Sequence, residues 1–300
     1  MSKITNEQID KIGQVLNDQQ RPLKERFRAL FTLKNIGGDQ SITWISKCFE
    51  DPSALLKHEL AYCLGQMQDV NAIPILMSVL KNHQQEPMVR HEAAEALGAI
   101  GNESVLSVLE EFKHDPTIEV AETCQLALAR LGWLKNNSCT GKKSIYYSVD
   151  PAPPSEEKDV ESLKNMLLDD RATLFDRYKA MFALRDLKTE NSINALSEGL
   201  SVGSALFRHE VAFVLGQLQE ECSVPALIKA LEDKSQNEMV RHECAEALGA
   251  IATDDCLKVL QKYLNDDKRV VKESCEIALD MCDYENSPEF QYANTLLEVS

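Results

Sequence analysis

Six histidines occur in the 300 residues of this chain, and four of them are followed directly by glutamate: His58-Glu59, His91-Glu92, His209-Glu210 and His242-Glu243. Imidazole nitrogens and carboxylate oxygens together make a mixed donor set that suits iron, manganese or zinc. Cysteine takes no part in the pattern, which argues against a structural zinc. Adjacent residues on a helix diverge by about 100°, so the histidine and glutamate of one pair are not expected to serve the same ion comfortably. Two ions are the natural solution. Each would be held by two histidines from one half of the chain and a glutamate reaching across from the other, leaving open positions for water, dioxygen or substrate. His83 and His114 have no glutamate after them, fall near expected loops and read as ordinary polar residues.

The elements that hold these pairs are repeated. At an offset of 151, residues 26–133 align with 177–284 without a gap, and Met88 to Ile100 recurs as Met239 to Ile251 with one difference in 13 positions. Inside each half a weaker period of 31 to 33 residues relates His58-Glu59 to His91-Glu92. A period of that size means stacked supersecondary units. Apolar residues recur at three and four spacing, as in Val89, Ala93, Leu97 and Ile100, so each unit reads as two helices. Stops are legible at Gly37-Gly38, Asp51-Pro52, Gly101 and Asp115-Pro116. The expected fold is all-α, a HEAT-type α-solenoid of about eight helix pairs in two pseudo-symmetric halves. The His-Glu pairs decorate the two central repeats of each half. The aligned positions are Phe27-Arg28 and Tyr178-Lys179 in the first repeat, and Glu122-Thr123 and Glu273-Ser274 in the fourth.

Helical geometry assigns a face. With Val89 at zero, the apolar set falls between about −20° and 80°, His91 near about 200° and Glu92 near about 300°. Both are therefore expected to point away from the core, on a concave surface where second helices of successive pairs lie about 10 Å apart. His58 can then converge with His91, and His209 with His242.

The remaining composition bounds the function. Length and a 44% hydrophobic content support two units with cores of their own. These are expected at 1–133 and 159–300, joined by a linker at 134–158 that carries Asn136-Asn137-Ser138 and Pro151-Ala152-Pro153-Pro154. Trp133, Tyr146 and Tyr147 leave open whether that linker is an ordered strap or a tether. A balance of 32 basic against 48 acidic residues, net −16, repels phosphate backbones and anionic headgroups and attracts cationic substrates. Neither nucleic acid nor membrane is an expected partner. Nine cysteines without a CxxC pair behave as free thiols in a reducing compartment. With a polar start, Ser2 to Glu7, a cytoplasmic protein is expected. GxSxG, GxxxxGK[ST], GxGxxG and HExxH are all missing.

Four His-Glu pairs in the central repeats of two duplicated halves make the sequence resemble, over nearly its whole length, the deoxyhypusine hydroxylase family. The resemblance implies a non-haem di-iron monooxygenase with two Fe2+ ions between the halves and dioxygen as co-substrate. It implies as partners the deoxyhypusine-bearing eukaryotic translation initiation factor 5A and an external electron donor. One iron would take residues matching His58, His91 and Glu210, and the other His209, His242 and Glu59, while Glu92 and Glu243 would serve the substrate. A monomer is expected. Hydroxylating an aliphatic carbon needs an oxidant that no side chain supplies, which agrees with a metal socket. A non-catalytic HEAT adaptor and a two-metal hydrolase are the competing readings.

Overall fold

The computed structural model describes residues 4–137, 144–288 and 292, and these contain sixteen α-helices and no strand. They divide into two compact units, Met1–Val149 together with Tyr292, and Asp150–Glu289. In the first unit the helices are α1 (Asn6–Asn17), α2 (Leu23–Ile36), α3 (Gly38–Lys47), α4 (Ala54–Met67), α5 (Ile73–Lys81), α6 (Pro87–Ile100), α7 (Leu106–Phe112) and α8 (Ile118–Asn136). In the second they are α9 (Val160–Leu168), α10 (Leu174–Leu187), α11 (Glu190–Glu198), α12 (Ala205–Leu218), α13 (Val224–Glu232), α14 (Glu238–Ile251), α15 (Asp254–Tyr263) and α16 (Arg269–Glu285). Each unit is thus a solenoid of four helix pairs, as the repeat period implies.

Local chemistry sets the ends of the helices that carry the His-Glu pairs. The Ser53 hydroxyl accepts from the Leu56 amide at the start of α4, and the Ser204 hydroxyl accepts from the Phe207 amide at the start of α12. α6 opens on Pro87, whose missing N–H is no loss in the first turn, and α14 opens on an Asn237 cap. α6 stops at Gly101 with φ 74°. Its counterpart after α14 is Ala252, held at φ 58°, where a β-carbon makes the left-handed turn more costly.

The second helices of successive pairs run side by side: α4 packs on α6, α6 on α8, α12 on α14 and α14 on α16. Glycine sets how closely. A Cβ on Gly65 would sit 2.7 Å from Ala96 Cα, one on Gly98 2.8 Å from Ala127 Cβ, one on Gly216 3.0 Å from Ala247 Cα and one on Gly249 2.7 Å from Ala278 Cα. Each second helix also packs on its own first helix, so α6 is enclosed by α4, α5 and α8. This three-sided packing overturns one expectation. His58, Glu59, His91, Glu92, His209, Glu210, His242 and Glu243 do lie off the apolar stripe, yet all are buried, with 0 to 7% exposure.

First helices are tied to second helices by a ladder of buried arginines. Nε of Arg26, Arg90, Arg177 and Arg241 donates to the carbonyl of Leu16, Leu80, Leu167 and Leu231, satisfying an orphan acceptor in the last turn of α1, α5, α9 and α13. The same guanidinium meets Asp51, Asp115 and Asp266 in three of the four repeats. Arg177 is the exception: position 202 is valine, and the guanidinium lies 3.8 Å over the Phe207 ring.

Against the expected 134–158, the linker starts slightly late, while its C-terminal end agrees with the start of α9 at Val160. α8 runs on to Asn136, and residues 138–143 lie outside the described residues. Within the first unit, the Val149 amide donates to Gln66 Oε1 at 2.8 Å. Within the second, Arg185 holds the Asp150 carboxylate at 2.8 Å, Ala152 is buried and the Ser155 amide donates to the Lys179 carbonyl at 2.9 Å. These described parts form an anchored strap. Buried Pro151 and Ala152 add apolar packing to these polar anchors, while Tyr147 is 88% exposed. Tyr292 packs against Phe31 and groups with the first unit, not with the second, where the expected bounds 159–300 place it, and residues 293–300 lie outside the described residues.

Two expectations test this packing. Gly65→Ala should cost about 1 to 3 kcal/mol in denaturant unfolding, because its methyl meets backbone. Gly132→Ala in α8, where nothing lies within 4 Å, should instead be neutral or stabilise by up to about 1 kcal/mol. Arg241 holds the Asp266 carboxyl below the usual carboxylate range, helped by the Lys268 amide. At Asp115 burial pushes the carboxyl up, but the Arg90 guanidinium and the Thr117 amide and hydroxyl together outweigh it and hold it below the usual range. A carboxyl lowered by folding stabilises above its unfolded pKa of about 4, and that contribution is lost as pH falls through the folded value. Stability should therefore drop below about pH 4. Asp266→Asn should flatten this part of the profile and cost about 3 kcal/mol at neutral pH, because Arg241 is left buried without its carboxylate.

Candidate metal centre

Seven residues separate His58 from Gly65, His91 from Gly98, His209 from Gly216 and His242 from Gly249. Two turns of helix bring residue i+7 back to nearly the same face. The face that permits close helix approach is therefore the face that carries the histidine.

In the first unit, α4 and α6 bring the His58 and His91 rings to a centroid distance of 5.4 Å with an interplanar angle of 47°. Glu92 Oε2 lies 3.2 Å from His58 Nε2, and donor atoms of His58, His91 and Glu92 all fall within 4.8 Å of one another. The second unit repeats this on α12 and α14. His209 and His242 have centroids 5.2 Å apart at 45°, and Glu243 Oε2 lies 3.2 Å from His209 Nε2. Donor atoms of His242, Glu243 and Glu246 form the corresponding group within 4.8 Å.

Glu92 and Glu243 thus stand beside the histidines. Adjacency on one helix does not keep His91 and Glu92 apart, because the glutamate's three torsions swing its carboxylate back toward its neighbour. Glu59 and Glu210 are buried, but among the described residues neither joins the donor group of its own unit. Glu246 was not foreseen. Its signal was available in the sequence, four residues after His242, and Glu95 holds the same place after His91. His83 and His114 are exposed and outside both groups.

The chemistry of these donors suits a cation. Four glutamates sit beside the histidines with at most 7% exposure, and a buried carboxylate is costly without a counter-charge. The basic residues that precede the histidines have other partners: Lys57 meets Glu86, Arg90 meets Asp115, Arg208 meets Gln236 and Arg241 meets Asp266. Thiolate is not an alternative donor. Burial pushes the Cys63 thiol well up, with Glu59 and Glu92 adding to it, and burial does the same to Cys244 beside Glu243. In the first unit, two imidazoles and a carboxylate gathered within 4.8 Å would fit one ion with bonds of about 2.0 to 2.2 Å.

Fold and site together define a HEAT-repeat helical protein with two buried His/Glu clusters suited to metal. Residues 43–129 and 193–280 match the HEAT repeat family. The chain is 65% identical over 297 residues to deoxyhypusine hydroxylase of Drosophila melanogaster, covering 99% of this chain and 98% of the relative. It is 59% identical over 293 residues to the Homo sapiens deoxyhypusine hydroxylase, covering 98% and 97%. A solved structure of the human deoxyhypusine hydroxylase in complex with glycerol superposes with a TM-score of 0.92 at 59% identity, over 93% of this chain and 97% of that one. The chain belongs to the deoxyhypusine hydroxylase family and is an enzyme of that kind. The adaptor and hydrolase readings are set aside.

Proposed function

We propose that this enzyme hydroxylates the deoxyhypusine side chain of eukaryotic translation initiation factor 5A, using dioxygen, an external electron donor and two Fe2+ ions. The observation that carries the metal part is the pair of buried clusters, each with two imidazoles 5.2 to 5.4 Å apart and a carboxylate in contact. His58 and His91 hold one iron and His209 and His242 the other. Glu210 and Glu59, assigned by the resemblance, complete the two sets in that order. Bound iron supplies the activation of dioxygen needed to place one oxygen atom on an aliphatic carbon.

The protein's own part is positioning and exclusion. The clusters are buried, His91 and His242 fully, and this burial keeps bulk water from competing. Glu92 and Glu243 are the carboxylates that hold the ammonium groups of the substrate, fixing which carbon is presented. A second reading has a specific observation behind it, since both carboxylates lie 3.2 Å from a histidine Nε2 and would serve as ligands or as partners of the rings. Eight free cysteines among the described residues, seven of them buried, support a reducing, cytoplasmic setting, and no described helix is long and apolar enough to cross a membrane. We take the working form to be a monomer.

Alanine at His58, His91, His209 or His242 should remove iron and abolish hydroxylation while circular dichroism stays helical. Because the rings are buried, each change should also cost about 2 kcal/mol through the cavity it leaves. Full iron content with normal turnover in any two variants would end the metal assignment. Glu92→Gln and Glu243→Gln separate the two carboxylate roles. Substrate residues keep iron but bind the modified factor more weakly and with less sensitivity to salt, whereas ligands lose iron.

A further inference from the structure

The two histidines of each cluster do not have the same surroundings. Four residues after His209 stands Phe213, and four after His58 stands Tyr62. The same step from His242 reaches Glu246, and from His91 it reaches Glu95. On a helix that step brings two side chains onto one face, and Glu246 Oε1 lies 3.5 Å from His242 Nδ1. The carboxylate is itself steadied from α16, where the hydroxyl of fully buried Ser274 lies 3.3 Å from the same oxygen. Ser274 occupies the repeat position at which α14 carries Glu243.

We propose that Glu246 is a positioning residue for His242, a role that rests on the metal reading above. Its carboxylate accepts the Nδ1 proton and so holds the ring as the tautomer whose Nε2 carries a lone pair for the ion. An imidazole has one donor nitrogen and one acceptor when neutral, and the partner of one nitrogen decides what the other can do. Left to water, the proton favours Nε2, the nitrogen that must be bare to bind a cation. His242 is fully buried, so bulk water does not restore the correct form. The two nitrogens point to opposite sides of the ring, which puts a carboxylate at Nδ1 outside the ligand set of an ion at Nε2. The 3.5 Å separation closes to hydrogen-bond length with a small rotation of the glutamate, as catalytic contacts commonly tighten on loading. Glu95 stands at the matching place for His91.

The test uses the full-length chain as wild type, Glu246→Ala and Glu246→Gln. Imidazole nitrogen NMR of the metal-free protein reads the tautomer of His242, and anaerobic competition with a chromophoric chelator reads the affinity for Fe2+ alone. Wild type should show the Nδ1–H form. Glu246→Ala should shift the proton to Nε2 and weaken Fe2+ binding about 10- to 100-fold. Glu246→Gln, whose amide oxygen still accepts, should keep the tautomer and recover most of the affinity. An Nε2–H ring in wild type, or an unchanged tautomer and affinity in Glu246→Ala, would overturn the proposal. So would equal loss of Fe2+ in both variants with the tautomer unmoved, since Glu246 would then be a ligand. Wild type that binds no Fe2+ would defeat the metal reading, while the tautomer of the metal-free protein would still decide the role of Glu246.

Discussion

Close approach between neighbouring second helices is the constraint from which the rest of the structure follows. Gly65 against Ala96 and Gly216 against Ala247 leave no room for a β-carbon, and each glycine lies two turns beyond a histidine on the same face. At that separation the rings come to within 5.2 to 5.4 Å. Side chains that would be solvated on an isolated helix become the lining of a buried cluster. Small residues here set a distance, and the distance sets which donor atoms can meet.

Burial at that spacing creates an electrostatic demand. The helices carry arginine next to His91, His209 and His242, and lysine next to His58, yet these cations point to the other side. There Arg90 and Arg241 cap first helices and pair with Asp115 and Asp266, while Lys57 meets Glu86 and Arg208 meets Gln236. Scaffold charge and site charge are thus kept apart within two consecutive residues, a division that follows from their 100° separation on the helix. Glu92 and Glu243, each 3.2 Å from a histidine Nε2, are the carboxylates that a metal ion or an ammonium group entering these clusters would meet. The net charge of −16 favours the arrival of either.

Much of this was legible in the residues. Tandem periodicity marked the eight helix pairs, because a helix that buries one stripe against a like neighbour must repeat its apolar spacing. Restriction of His-Glu to the central repeats marked the candidate site, since packing alone would have placed the pair in all of them. The role of Glu246 was harder to read: four-residue spacing is common in helices, and only a neighbour such as Ser274 from α16 shows which of these contacts is used. The strap was also ambiguous. Its proline-rich composition says what it does not form, and the partners that hold it, Gln66, Lys179 and Arg185, lie far from it in sequence.

By itself the sequence determined the helix pairs, the duplication and the four His-Glu pairs as candidate donors, all of which depend on local spacing along one chain. Tertiary structure decided how deeply the His-Glu pairs are buried and that Glu92 and Glu243 touch the histidines. It also decided that Glu246 faces Nδ1 of His242. These outcomes depend on how close two helices come and on side-chain torsions after packing. A one-dimensional pattern does not carry such quantities, because residues such as Gly65 and Ala96 that set them sit in different repeats and act on one another only through space.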